Sequence, residues 1–281
     1  MVVRYAWLMS SGADAFHDFE RQGWERASEH YADAFGSLTS QMAEPLLDAA
    51  AVRSGTRLLD VCTGPGFIAG AAAARGAGVT GLDFSAAMIA EAKRRQPSVD
   101  FREGDAEALP FAATTFDAVV MNFGLLHLAR PDAAVAEAHR VLRAGGRYAL
   151  TVWSEDAAGF GLALKAIQQY GNPEVPLPEG PSFFRFSAAE EFQRTLQSAG
   201  FTDMNVQTVP LTWRVASPDE VFAALSKGGV RTAAILRAQT PNALAAIADS
   251  IRRGVETYAT GGQYDIPMPA VLASATKPQA P

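Results

Sequence analysis

The run Leu58-Leu59-Asp60-Val61-Cys62-Thr63-Gly64-Pro65-Gly66-Phe67-Ile68-Ala69 reads as a short buried strand, a turn built on two glycines and a helix start. Without a Cβ, the backbone at Gly64 and Gly66 can approach a ligand in conformations other residues resist. In open α/β sheets such units bind cofactors at the carboxyl end of the first strand. Asp83 follows Gly64 by 19 positions, a spacing that suits a carboxylate accepting from ribose hydroxyls. The pattern Gly64-x-Gly66-x-x-Ala69 also fits a dinucleotide fingerprint. Pro65 argues against a pyrophosphate in this turn, because it has no N–H to donate.

S-adenosylmethionine (SAM), which has no phosphates, makes the same demands, and the rest of the chain separates the two cofactors. Val79-Thr80-Gly81-Leu82-Asp83 reads as a second strand ending in an acid, with a helix start at Phe84-Ser85-Ala86-Ala87-Met88. A third strand leads into Phe101-Arg102-Glu103-Gly104-Asp105-Ala106, followed by Leu109-Pro110-Phe111. Phe116 to Asn122 is a fourth strand and Gly145 to Trp153 a fifth. In this order, over about residues 40 to 153, the segments resemble the class I SAM-dependent methyltransferases. The likeness is nearest to small-molecule enzymes of the ubiquinone/menaquinone-biosynthesis type.

The resemblance implies an α/β fold: a Rossmann-like, seven-stranded, mostly parallel sheet with an antiparallel edge strand, plus N- and C-terminal helical lid elements. It implies SAM as cofactor and methyl transfer to a small organic acceptor. Asp83 then accepts from the ribose hydroxyls, with Phe84 beside it, and Met88 lies on the adenine. Asp105 accepts from the adenine amino group and the Ala106 N–H reads a ring nitrogen. Asp60, Gly64 and Gly66 surround the methionine tail, and the backbone of Asn122 receives its ammonium. Cys62 departs from the family pattern, standing where glycine or alanine is commoner. Free cysteine is usually a small buried hydrophobe, which favours packing over reactivity.

The 281 residues allow one large domain or two modest ones, and 48% apolar content is ample for a core. Net charge is −6 with scattered basic residues, which disfavours a nucleic-acid substrate. The run Lys93-Arg94-Arg95 closes a predicted helix, where cations suit the negative end of the dipole. A single cysteine excludes an internal disulfide, and the four histidines show no metal-ligand spacing. No metal is expected. No apolar run approaches the ~20 residues of a membrane span, so the expected setting is a reducing cytoplasm. Met1 to Ser11 reads as a disordered leader or an extended start in preference to a poor signal peptide. Oligomeric state is not set by the sequence.

Ala13 to Ala51 reads as helices, with Phe16, Phe19, Trp24, Ala27, Tyr31 and Phe35 roughly at helical spacing. This face either packs on the sheet or forms a lid carrying Trp24 and Tyr31 to the cofactor. The domain reading is a helical lid over 1–51 and a methyltransferase domain over 52–281, with helical insertions about 155–200 and 217–260. Helices are expected over Asp132–Leu142, Ala157–Tyr170 and Ser187–Ala199, the last with a Ser187/Glu190 capping box. Phe201 to Val215 and Gln263 to Ala275 read as single long strands, which the family resemblance implies form an antiparallel pair at the sheet edge. Between them lie three helices opened by Ser217-Pro218, Gly229-Val230 and Thr240-Pro241. From Lys277 onward a frayed tail is expected.

On the acceptor side, His127 follows the fourth strand and is either a general base or a packing histidine. Trp153, Phe184 and Arg185 are candidate walls of the acceptor pocket; in the alternative, the aromatics are lid packing and Arg185 snorkels to water. Two rival functions stay open: a protein that binds SAM without transferring methyl, and a nicotinamide oxidoreductase. A nucleic-acid or protein methyltransferase is disfavoured, because Asn122-Phe123-Gly124-Leu125 stands where an asparagine–proline–proline–aromatic signature would be.

Overall fold

The computed structural model describes residues 12–279; the leader expected at residues 1–11 lies outside them. The chain opens with α1 (Gly12–Thr39), a 3₁₀ turn and α2 (Ala43–Ala49). It then alternates β1 (Arg57–Val61), α3 (Phe67–Ala74), β2 (Gly78–Asp83), α4 (Ala86–Arg95), β3 (Asp100–Glu103), β4 (Phe116–Asn122), α5 (Pro131–Val141) and β5 (Leu142–Trp153). After α6 (Ala158–Tyr170) and α7 (Ala189–Ser198) come β6 (Thr202–Val209) and β7 (Thr212–Val215). The helices α8 (Pro218–Lys227), α9 (Arg231–Arg237) and α10 (Pro241–Glu256) follow, then β8 (Ala259–Thr260), β9 (Gln263–Pro267) and β10 (Ala270–Thr276).

Seven strands form one sheet in the order β3-β2-β1-β4-β5-β10-β6. Apolar runs make its centre: Leu58 and Leu59 of β1, Val119 and Val120 of β4 and Leu150 of β5 are each 0% exposed. Strands buried on both faces read as continuous hydrophobic runs, which is why β1 and β4 were legible. β1 pairs in parallel with β2 and β4, so the direction of winding reverses between β1 and β4. The crevice outside their carboxyl ends is where such sheets take ligands. The reversed strand is β10, antiparallel to β5 and to β6, and β6 closes the edge outside it.

Both expected long strands break in two at prolines. Pro210 ends β6 and Pro269 precedes β10, and neither can donate to a ladder. β7 and β9 therefore leave the large sheet together and pair with each other, with β8 completing a three-stranded sheet. The Met268 N–H donates to the Leu211 carbonyl (2.9 Å) at this shared bend.

Two further expectations are corrected. α7 begins at Ala189 with Ala188 as N-cap and no side-chain cap bond, because Ser187 is spent in the preceding turn, its N–H donating to the Phe184 carbonyl. The reciprocal capping box is instead at α8, where the Ser217 hydroxyl accepts from the Asp219 N–H and the Glu220 carboxylate accepts from the Ser217 N–H. Lys277 is pinned, not frayed: its ammonium donates to the His139 and Leu142 carbonyls, both at 2.8 Å. The basic close of α4 is as expected, with Arg94 and Arg95 pairing to Glu91.

The capping difference is measurable. Ser217→Ala should lower unfolding free energy in urea by about 1 kcal/mol, whereas Ser187→Ala should cost less than about 0.5 kcal/mol.

Candidate active site

Each strand tip delivers one polar group to the crevice. Asp60 is the penultimate residue of β1 at 1% exposure, and the Thr63 hydroxyl donates to its Oδ2 at 2.6 Å. Its Oδ1 is buried with no hydrogen-bond partner. Burial pushes the Asp60 carboxyl up to about 7, against the Thr63 bond. Asp83 ends β2, accepting from the Gly64 N–H at 2.9 Å and the Ser85 N–H at 3.0 Å. Burial pushes it up to about 6, opposed by those backbone donors. The Asp83–Gly64 bond ties the β1 turn to the tip of β2.

The turn needs its glycines. Gly64 and Gly66 have φ of 52° and 81°, and a Cβ on Gly66 would lie 2.9 Å from the Phe101 ring. Cys62 also takes a left-handed conformation, φ 56°, which accounts for the glycine preference there and stores about 1–2 kcal/mol of strain. Its side chain is accommodated by Gly124, where an added Cβ would come within 2.6 Å of it. Burial, then the Asp83 and Asp60 charges, push the Cys62 thiol well up, so it stays protonated and inert.

These groups open into one cavity of ≈ 1250 Å³ empty volume, its mouth included. Of the sequence candidates, Tyr31, Asp60, Gly64, Asp83, Phe84, Met88, Ala106, Asn122, His127 and Trp153 all line it. Gly66 lies behind the wall as the N-cap of α3. Asp105 also stands off the cavity, its Oδ1 taken by the Glu107 N–H and its Oδ2 3.3 Å from His17 Nε2 of α1. Asn122 donates to the Thr39 carbonyl and accepts from the Thr151 hydroxyl, anchoring the end of α1.

The far compartment is aromatic. Trp153 stacks on Phe123 at 3.9 Å, and Trp24 and Phe183 meet the His127 ring edge-on at 4.8 and 6.2 Å. His127 Nδ1 lies 3.0 Å from Glu20 Oε2, and Arg231 Nε donates to Glu20 Oε1 at 2.8 Å. Glu20 is 0% exposed. Burial raises its carboxyl, but His127 and Arg231 outweigh that and hold it below the usual carboxylate range. The sequence reading passed over both partners. Glu20 did leave a signal: it shares the buried stripe of α1 with Phe16, Gly23 and Ala27, an acid where helical spacing demands an apolar residue. Arg231 left none, because its partners lie on other elements.

Residues 59–150 match the family model described as a methyltransferase domain. A demethylmenaquinone methyltransferase of Renibacterium salmoninarum is 42% identical over 114 residues, 41% of this chain and 48% of the relative, so the match spans about half of that relative's length. The ubiquinone/menaquinone biosynthesis C-methyltransferase UbiE of Rhizobium leguminosarum bv. trifolii is 33% identical over 211 residues, 67% of this chain and 76% of that one. The chain belongs to the SAM-dependent methyltransferases. In fold, it is similar to phosphoethanolamine N-methyltransferase 2 of Haemonchus contortus, solved with SAM: TM-score 0.58, 20% identity, 94% of this chain and 60% of that one.

SAM is the cofactor of this family, and the residues of this family member fit it. The orphaned Asp60 Oδ1 calls for a cationic group, which the methionine tail supplies, whereas a pyrophosphate would meet two buried acids. Asp83 keeps lone pairs beyond its two backbone bonds, because a carboxylate offers about four acceptor sites. Two expected pocket residues are elsewhere. Arg185 is a clamp, bidentate to Asp132 at 2.8 and 2.9 Å and bound to Glu191 at 2.7 Å, and Phe184 packs on Phe183 outside the cavity. Phe183 takes the wall position instead.

Asp60 gives a pH test in the cofactor-free chain. Its folded value is raised above its ordinary one, so its contribution is fully favourable below pH ~4 and is lost as pH rises to ~7. Asp60→Asn should therefore be more stable than wild type at pH 8 by about 1–3 kcal/mol, a gap closing toward pH ~4. Urea unfolding across that range checks it, and a constant gap would remove Asp60 as the cause.

Proposed function

We propose that this protein transfers a methyl group from SAM to a small, flat, uncharged acceptor bearing an ionisable hydroxyl. The observation that carries the reading is one cavity lined both by unneutralised buried carboxylates and by an aromatic box around His127. When bound, SAM supplies an electrophilic methyl carbon: the acceptor's electron pair forms the new bond as the carbon–sulfur pair is left on sulfur.

The residues then divide the work. Asp83 accepts from the ribose hydroxyls and Asp60, with the Gly64–Gly66 turn, holds the cationic tail. Met88, Phe84 and the Ala106 N–H enclose the adenine, and Asp105 takes its amino group once His17 yields. The backbone of Asn122 meets the ammonium. His127 accepts the acceptor's proton at Nε2. Positioning of the acceptor opposite sulfur supplies much of the rate.

The acceptor class follows from what the box lacks. Arg231 is spent on Glu20 and on the Pro181 and Leu126 carbonyls, leaving no free cation there among the described residues for an anionic substrate. Stacked Trp153 and Phe123 favour a flat ring. The names of the relatives, a demethylmenaquinone methyltransferase and a ubiquinone/menaquinone biosynthesis C-methyltransferase, support a quinone-related ring. We assign α1 the role of lid, since Trp24 and Tyr31 reach the cavity from it. Among the described residues no helix is long and apolar enough to cross a membrane, and we infer a cytoplasmic setting.

Calorimetric titration with SAM, and with NADH in parallel, tests the cofactor assignment. SAM alone should bind, and Asp83→Ala should weaken it by about 1.5–3 kcal/mol, the scale of a hydrogen bond to a charged group. NADH binding alone would overturn the reading. Methyl transfer to hydroquinones and phenols follows with labelled SAM. His127→Ala should lower turnover about 100-fold with SAM affinity unchanged, and equal turnover would return His127 to packing.

A further inference from the structure

The segment matching the methyltransferase-domain model, residues 59–150, contains His127 but neither group that surrounds its imidazole. Glu20 comes from α1 and Arg231 from α9. Arg231 also donates to the Pro181 carbonyl at 2.9 Å and the Leu126 carbonyl at 2.6 Å, and lies 4.5 Å from the Phe16 ring centre. A bare carboxylate at 0% exposure is untenable; the imidazole on Oε2 and the Arg231 guanidinium 2.8 Å from Oε1 together let Glu20 stay ionised. An ionised carboxylate can only accept hydrogen bonds. The imidazole nitrogen facing it, Nδ1 at 3.0 Å, must therefore carry the ring's proton. In the neutral ring, Nε2 then keeps its lone pair, and among the described residues it has no hydrogen-bond partner. Trp24 and Phe183 restrict the ring from two sides.

The geometry points to Glu20 as a positioning residue that sets His127 in the tautomer whose bare Nε2 serves as base, with Arg231 as its counter-ion. This inference rests on the proposed methyl transfer and deepens it. The acceptor's O–H bond breaks with its proton going to Nε2 and its electron pair staying on oxygen. The imidazolium so formed lies against the Glu20 carboxylate. Because the three residues come from three segments, the base is complete only when α1 and α9 lie over the strand ends. The acceptor chemistry thus depends on parts of the chain outside the cofactor-binding core.

A triad that merely fastened α1 to α9 would not require a particular tautomer at a working nitrogen, so the test reads the proton. Nitrogen-15 NMR of the imidazoles, on the full chain without cofactor at mildly alkaline pH, should place the His127 proton on Nδ1. In Glu20→Gln, whose amide turns its oxygen to Arg231 and its NH₂ to His127, the proton should move to Nε2. A wild-type His127 protonated on Nε2 overturns the proposal even if no variant folds, and an unchanged tautomer in folded Glu20→Gln overturns it too. With an accepted substrate, Glu20→Gln should lower kcat about 10- to 100-fold while SAM affinity holds, and Glu20→Asp should recover part of the loss. Unchanged kcat would sink the positioning role. Wild-type SAM titration separates the two layers: its failure removes the methyl-transfer reading, whereas the tautomer result concerns Glu20 alone.

Discussion

Two carboxylates that the chain does not neutralise govern this structure. Asp60 and Asp83 stand at adjacent strand tips, nearly without solvent, and burial opposes the charge of both. Their local support is backbone and hydroxyl hydrogen bonding, together with the amino-terminal ends of α3 and α4, where an anion is favoured. The glycine turn exists in that setting: it brings the Gly64 N–H to Asp83 and leaves open space in front. A site built this way is costly when empty and is relieved by a ligand with positive charge and hydroxyl donors. If Asp60 holds the cofactor's cationic tail as proposed, binding function and cofactor-free stability pull against each other there.

A second buried acid is handled in the opposite manner. Glu20 has a cation on one oxygen and an imidazole on the other, and stays ionised as a result. The polar anchors of α1 lie in its first half: Glu25 caps the α4 N–H groups of Ala86 and Ala87, His17 meets Asp105, Asp14 meets Arg130. Trp24, and Tyr31 and Phe35 beyond these anchors, face the cavity. The helix is fastened at polar positions and lines the cavity with aromatic ones.

Legibility followed the range of the interaction. The central strands, the glycine turn and Asp83 could be read because each is specified by neighbours in the chain: apolar runs, φ-permissive residues, an acid at a set spacing. The same local logic placed α8, α9 and α10 from their proline and glycine starts. It failed where two equally good local signals competed. Ser187-x-x-Glu190 and Ser217-x-x-Glu220 spell the same capping pattern, yet only Ser217 stands at a helix start, because a turn consumes Ser187. It failed too at Pro210 and Pro269, whose matching breaks make sense only once the two strands are seen to bend as a pair.

The sequence by itself determined the alternation of strands and helices, the glycine turn after β1 with Asp83 at the tip of β2, and the family it resembles. Those properties rest on contacts within about one strand–turn–helix unit, where residue type and spacing suffice. Tertiary structure decided the aromatic part of the cavity, where the acceptor is proposed to sit. Arg185, an attractive pocket residue by composition, is drawn away by Asp132 and Glu191, while Phe183 takes the wall. His127 acquires its partners across 107 and 104 positions of chain, Glu20 directly and Arg231 through it. No local pattern encodes such a meeting, because a buried charge selects its partner by proximity in the folded state.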